Sequence, residues 1–226
     1  MDLPPRLRAI AEKVPQGARL VDIGTDHGFL PVWLLLNGRI NAAIAADLRS
    51  GPLERAKENA HRYGQSPYIS FRLCDGLSGV SADEVDTVVI AGMGGETIAG
   101  ILEAAPWTHQ NKLLLLQPMT GTSRLRQWLQ THEYAILDET LVCEGDRLYS
   151  VWTVKNGMMQ PFSPAELWAG VNNNSPLRME YLNIVEKKAE KVLQGHMAAQ
   201  QLDGAFIAQM KEVIDGLREM KKELNL

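Results

Sequence analysis

Cysteine is scarce: Cys74 and Cys143 are the only two among 226 residues, far apart and in no metal-ligand spacing. Reduced thiols in a cytosolic protein are the expected reading, with no metal partner. No apolar run approaches the ~18 residues of a membrane span. The start, Met1-Asp-Leu-Pro-Pro-Arg6, lacks a signal peptide's apolar core. A soluble, cytoplasmic protein with no membrane partner is therefore expected. A basic excess is missing too: 23 Lys and Arg against 27 Asp and Glu give a net charge of −4. Divided at Asn156, the first part holds 15 basic and 18 acidic residues and the rest 8 and 9. Neither half has the basic footprint of a phosphate-binding surface. A local patch survives that argument, since Arg6, Arg8, Lys13 and Arg19 face only Asp2 and Glu12 at the N-terminus. The dinucleotide fingerprint G-x-G-x-x-G is also absent, which disfavours a nicotinamide cofactor.

What is present fits one ordinary domain plus an appendage, with 45% hydrophobic residues and ample length for a core. A helix is expected over 5–14, with Leu7, Ile10, Ala11 and Val14 on one face. Apolar, β-rich runs follow at about 19–23, 41–47, 68–73, 85–91 and 112–117. Helical patterns lie between them at 29–37, 51–63, 96–104 and 123–132. Segments 134–143 and 147–155 read as an antiparallel pair around Glu144-Gly-Asp146. Strands alternating with helices predict an α/β fold with a doubly wound, largely parallel sheet of seven strands. Residues 156–164 read as a linker and 172–175 as a second break. Beyond Ser175 only helical spacing remains, with Leu177, Tyr181, Ile184 and Val185 in one stripe and Met210, Val213, Ile214 and Leu217 in another. A long antiparallel, coiled-coil-like helical hairpin is expected, and domains at 1–156 and 157–226.

The four strand ends repeat one idea. Asp22-Ile-Gly-Thr-Asp-His-Gly28 is a strand, a glycine turn and a helix start. Gly24 and Gly28 let the backbone approach a ligand, and the helix N-terminus supplies free N–H groups. Asp47 ends the second strand, 25 residues after Asp22, and suits ribose hydroxyls, or else a helix cap. Asp75-Gly76 follows the third strand as an acceptor for an adenine amine, or as an ordinary turn. Gly92-Met-Gly-Gly95 follows the fourth. All four should meet at the carboxyl edge of the sheet, where ligands bind in open α/β folds.

The pattern D-x-G-x-D-x-G at 22–28 resembles the first motif of class I S-adenosylmethionine (SAM) methyltransferases, D/E-x-G-x-G-x-G, with Asp26 in place of the middle glycine. Over Arg19 to Lys155 the strand ends resemble the SAM-binding surface of that class. The resemblance implies SAM as cofactor, S-adenosylhomocysteine as product, and a binding set of Asp22, Gly24, Thr25, His27, Gly28, Asp47, Leu48, Asp75, Gly76, Gly92, Met93 and Gly94. The words Asp22-Ile-Gly-Thr-Asp-His-Gly-Phe-Leu-Pro31, Gly51-Pro-Leu53, Ile90-Ala-Gly-Met-Gly-Gly95 and Leu116-Gln-Pro118 look more narrowly like the bacterial TrmK family. That family methylates N1 of adenine-22 in tRNA, with a Rossmann-like SAM domain followed by a helical coiled-coil domain. The likeness covers the whole chain and departs at Met119, where the family often has Asn. It implies tRNA as partner, with Gly95, Gln117 and Pro118 near the target base.

Enzymes that methylate exocyclic amines often carry D/N-P-P-Y after the fourth strand, and this chain has Gly92-Met-Gly-Gly95 instead. N1 of adenine already holds an in-plane lone pair, so positioning and electrostatics are the work left to the protein. The product is cationic, and a nearby carboxylate would stabilise it or take a proton from N6. Asp26 is the candidate catalytic residue; capping the next helix or holding the methionine amino group is its alternative role. His27 is read either as a substrate contact or as structural. Arg6, Arg8 and Lys13 are the candidate RNA contacts, joined by Lys187, Lys188 and Lys191 on the hairpin unless those form only a solvated face. A small-molecule methyltransferase with a dimerising coiled coil and a non-catalytic interaction protein are the competing readings. The sequence does not decide between monomer and weak dimer.

Overall fold

The computed structural model describes residues 1–171, 174–198 and 203–224. Helix α1 (Pro5–Lys13) opens with proline at its first position, where no N–H is needed. Strand β1 (Leu20–Ile23) is buried throughout, as is β2 (Ala43–Asp47), which fits strands covered on both faces of a parallel sheet. Between them lies α2 (Phe29–Leu36), which Gly38 follows at φ +61°. Helix α3 (Ser50–Arg62), β3 (Ile69–Leu73), β4 (Thr87–Gly94), α4 (Gly95–Glu103), β5 (Leu113–Thr120) and α5 (Thr122–Thr131) continue the alternation. Strands β6 (Tyr134–Glu144) and β7 (Arg147–Asn156) close the sheet. The strand order is β3-β2-β1-β4-β5-β7-β6, with β7 antiparallel to both neighbours.

Alternate residues of the central strands feed two cores. Val21, Val88, Ile90, Leu114 and Leu116 point to the layer holding Ile98, Leu102, Leu125 and Leu129. Leu20, Val89 and Leu115 point to the layer holding Ile10, Val14, Leu30 and Leu34. The expected seven-stranded α/β fold is therefore observed. One boundary differs: Gly92 to Gly94 do not end β4 but extend it, pairing with Pro118 and Thr120 through register shifts at Met93.

The helical part contains an element that the linker reading passes over. Helix α6 (Pro164–Ala169) is held by a capping box in which the Ser163 side chain accepts from Glu166 N and Glu166 accepts from Ser163 N. Helix α7 (Arg178–Met197) and helix α8 (Gly204–Glu223) form the expected hairpin. Asp203 caps α8 by accepting from Ala205 N and Phe206 N. The stripes Tyr181, Leu182, Val185 and Ala189 and Met210, Val213, Ile214 and Leu217 form its core. Leu141 of β6 and Leu148 of β7 join that core, so the hairpin packs on the sheet's edge. Of the break expected at 172–175, residues 172 and 173 lie outside the described residues. No helix of the described residues is long and apolar enough to cross a membrane.

Candidate active site

The carboxyl ends of β1 to β4 converge on a cleft of about 510 Å³, within the range of cofactor sites. Asp22, Gly24, Asp26, Asp47, Leu48, Asp75, Gly76, Gly92 and Met93 line it, as the strand-end reading expects. The turn after β1 is pinned to β2 by Gly24 N and Thr25 N, which donate to Ala46 O at 2.8 and 3.1 Å. Gly24 and Gly92 sit at φ +72° and +75°, a region open to glycine without a Cβ penalty. A Cβ on Gly24 would also collide with Met93 Cε. Backbone thus forms the cleft floor where a ligand needs close approach.

Two acids are buried at its centre. Asp22 and Asp47 are each 7% exposed. Asp47 Oδ1 accepts from Arg49 N at 2.8 Å, and the exposed Arg49 guanidinium stands 4.0 Å away. No ion pair reaches Asp22 among the described residues. Burial pushes the Asp22 carboxyl up to about 7, the Thr25 hydroxyl works against that, and the Asp47 charge adds to it. Thr25 Oγ1 is itself buried, and beyond Asp22 it has no hydrogen-bond partner among the described residues. Two buried acids and a glycine floor fit a ligand that carries hydroxyls and positive charge.

Asp26 lies at the exposed lip. Its Oδ1 accepts from Arg55 Nη2 at 3.0 Å and lies 3.5 Å from His27 Nε2. The His27 ring stacks on Phe29 at 5.2 Å, and its carbonyl accepts from Asn59 Nδ2. Gly28 has a packing task, since a Cβ there would stand 3.1 Å from Ala56 Cβ, where α2 meets α3. Thr25, His27, Gly28 and Gly94 do not line the cleft.

The expected substrate contacts separate. Arg6 lines the cleft, with Nε 3.4 Å from Glu144 and its guanidinium over Tyr149 at 5.7 Å. Arg8 lies over Trp33, 3.9 Å from Asp2. Lys13 is drawn to Asp138 on β6 at 2.6 Å, outside the cleft lining. Gln117 is fully buried and works from behind: its Oε1 accepts from Gly92 N at 3.0 Å, and its Nε2 donates to Pro118 O. Gly95 lets α4 approach the next turn, since a Cβ would meet Gly121 O at 2.5 Å. Neither glycine nor glutamine therefore needs substrate to explain it. Lining residues not expected as site residues include Pro4 and Leu7 around α1, Phe29 and Leu30 on α2, and Thr97 and Ile101 on α4. The position of Phe29 and Leu30 just after the glycine turn was their available signal. Among the described residues no group of three or more His, Cys, Asp or Glu could hold a metal.

Residues 3–152 match the model of a family described as a methyltransferase domain. The chain is 39% identical over 158 residues to the tRNA (adenine(22)-N(1))-methyltransferase of Bacillus subtilis (strain 168). That alignment covers 70% of this chain and 66% of the relative, slightly under two thirds of its length. Streptococcus pneumoniae Sp1610, solved with S-adenosyl-L-methionine, superposes with a TM-score of 0.83 at 32% identity, covering 96% of this chain and 98% of that one. M. capricolum TrmK, solved with S-adenosyl-homocysteine, gives a TM-score of 0.80 at 27% identity, covering 97% and 98%.

Proposed function

Because the chain belongs to the TrmK family of tRNA (adenine-22-N1)-methyltransferases, we propose that it methylates N1 of an adenine in tRNA, at position 22, using SAM. The observation that carries this reading is the convergence of Asp22, Asp47, Asp75 and the positive-φ glycines Gly24, Gly76 and Gly92 on one cleft. Bound SAM supplies an electrophilic methyl group on a sulfonium. Asp47, with one oxygen held by Arg49 N, offers the other to ribose hydroxyls. Asp22 opposes positive charge from a buried position and becomes the stronger counter-ion as it ionises. Asp75 accepts from an exocyclic amine, and the backbone at Gly24 and Gly92 admits the ligand without side-chain interference.

For the base, the chain supplies orientation and charge. Adenine N1 lies on the pairing edge, so the base must be unpaired or flipped before it reaches the cleft. Its lone pair attacks without prior deprotonation. Gln117 fixes Gly92, which borders the region between cofactor and base. Asp26 faces the positive charge that develops on the methylated ring; Arg55 engages Oδ1 and leaves Oδ2 without a protein donor among the described residues. The protein acts in the cytoplasm on tRNA, with 1–156 as the catalytic domain and 157–226 as the helical domain.

Incubation with methyl-labelled SAM and a tRNA transcript tests this reading. Label on the transcript carrying adenine-22, and none when that adenine is replaced, is expected. Equal labelling of both would overturn the position, and no labelling of either would overturn the activity. Asp26→Asn should lower turnover more than SAM affinity; wild-type turnover with lost SAM binding would reassign Asp26 to the cofactor.

A further inference from the structure

A second cleft, of about 660 Å³, lies between the catalytic domain and the helical hairpin. Thr97 of α4 lines both clefts, so the second adjoins the first at that residue. One wall is formed by the starts of α4 and α5, the other by α7 and α8, with Trp168 of α6 between them. This is a built surface. Arg126 of α5, fully buried and paired with Glu139 at 2.6 Å, donates to Leu167 O and Trp168 O at 3.0 and 3.2 Å. That tether fixes the Trp168 backbone to the catalytic domain.

The lining carries a partly exposed indole, packed on one side against the hairpin core, and a cation with no ion pair among the described residues. Trp168 is partly exposed and stacks on no other ring among the described residues, whereas the Phe206 ring of the same cleft is engaged by His196 at 3.9 Å. Arg124 is paired with Glu96. Lys188 is exposed and has no ion pair among the described residues. The acids interleaved with it in sequence, Glu186 and Glu190, are taken by Arg218 and Lys221 of α8. These two acids thus close onto the second helix and leave Lys188 to line the cleft. A partly exposed indole and an ammonium without an ion pair among the described residues, lining one cleft, suit a nucleotide: base on ring, phosphate at cation.

Resting on the functional reading above, we propose that this cleft seats a nucleotide of the tRNA strand next to the target adenine, its base on Trp168 and its phosphate at Lys188. The first cleft then receives the adenine while the second holds its neighbour, and the hairpin becomes half of the substrate site. Recognition in the second cleft is by stacking and charge, without base-edge reading.

Steady-state kinetics with full-length protein and a tRNA transcript, alongside calorimetric titration of SAM, tests the proposal. Trp168→Ala should raise the KM for tRNA by about tenfold, Trp168→Phe should recover most of that loss, and SAM affinity should not change. Lys188→Glu, at an exposed position, should weaken tRNA binding and lower its log–log salt slope by about 1. An unchanged KM in Trp168→Ala and Lys188→Glu would overturn the proposal. So would a fall in kcat alone, which would mark Trp168 as a domain-positioning residue. A wild-type protein that binds SAM but labels no tRNA overturns the functional reading and this inference together; labelling with unaffected variants overturns the inference alone.

Discussion

Buried charge is handled in opposite ways at two places in this sheet. At the β1 and β2 ends, Asp22 and Asp47 are buried side by side, and Asp22 has no ion-pair partner among the described residues. At the β6 edge, Arg126 and Glu139 are buried together as a two-bond pair, and Arg126 lies 4.4 Å from the Trp152 ring centroid. Arg126 also holds the carbonyls that end α6, while Arg178 donates to Ala169 O and Gly170 O. The second site is complete without a ligand and binds two parts of one chain together. The first is incomplete, because like charges in a low-dielectric site await an external partner. Satisfaction of the charge, more than its burial, separates the latch from the proposed binding site.

Breaking the latch should have the largest effect. Glu139→Ala leaves the Arg126 charge buried, and a loss of about 3–5 kcal/mol of stability is expected, read as a fall in thermal midpoint. A change of under about 1 kcal/mol would place the latch among weak surface pairs. The proposed cofactor site should respond in the opposite sense. Asp47→Ala should weaken SAM binding by about 10- to 100-fold, the loss of a charge-assisted hydrogen bond, without lowering the thermal midpoint of the ligand-free protein.

Asp22 sharpens the contrast through pH. Its folded carboxyl titrates near 7 against 3.8 for the free group. The folded state therefore holds more protons between those values, so stability falls as pH rises through that window. Asp22→Asn should stabilise the ligand-free protein at pH about 8 by on the order of 1–2 kcal/mol, with the gain vanishing near pH about 4. A variant less stable than wild type at the higher pH would contradict the assignment. The smallest effect is expected from Lys13→Ala, which removes a partly exposed ion pair with Asp138 and should cost less than about 1 kcal/mol in thermal unfolding.

The same contrast explains what was legible in the sequence. Acids and glycines that end apolar runs mark the carboxyl edge of a parallel sheet by position alone, so Asp22, Gly24, Asp47, Asp75 and Gly92 were readable as one cleft. The hairpin was readable from its two apolar stripes. Partners were not. Lys13 meets Asp138, Arg55 meets Asp26 and Gln117 meets Gly92 across long separations that periodicity does not encode. Gly28 resembled a ligand-facing glycine because its positive φ follows from motif spacing, while its contact with Ala56 depends on how α3 returns. Helix α6 escaped because six residues show no period, although the capping box from Ser163 to Glu166 was written in the chain. The freedom of Lys188 emerged only once α8 was seen to occupy its acidic neighbours.

The central claim, that an incomplete pair of acids is the cofactor site, is tested most directly by calorimetric titration of SAM between about pH 6 and 8 in buffers of different ionisation enthalpy. Wild type should bind more tightly as pH rises through this range and release protons on binding as Asp22 ionises beside the cationic ligand. Asp22→Asn should lose the part of that release due to the protein and keep only the ligand's own ammonium titration. Identical proton release from the two proteins, with equal affinity at every pH, would contradict the claim.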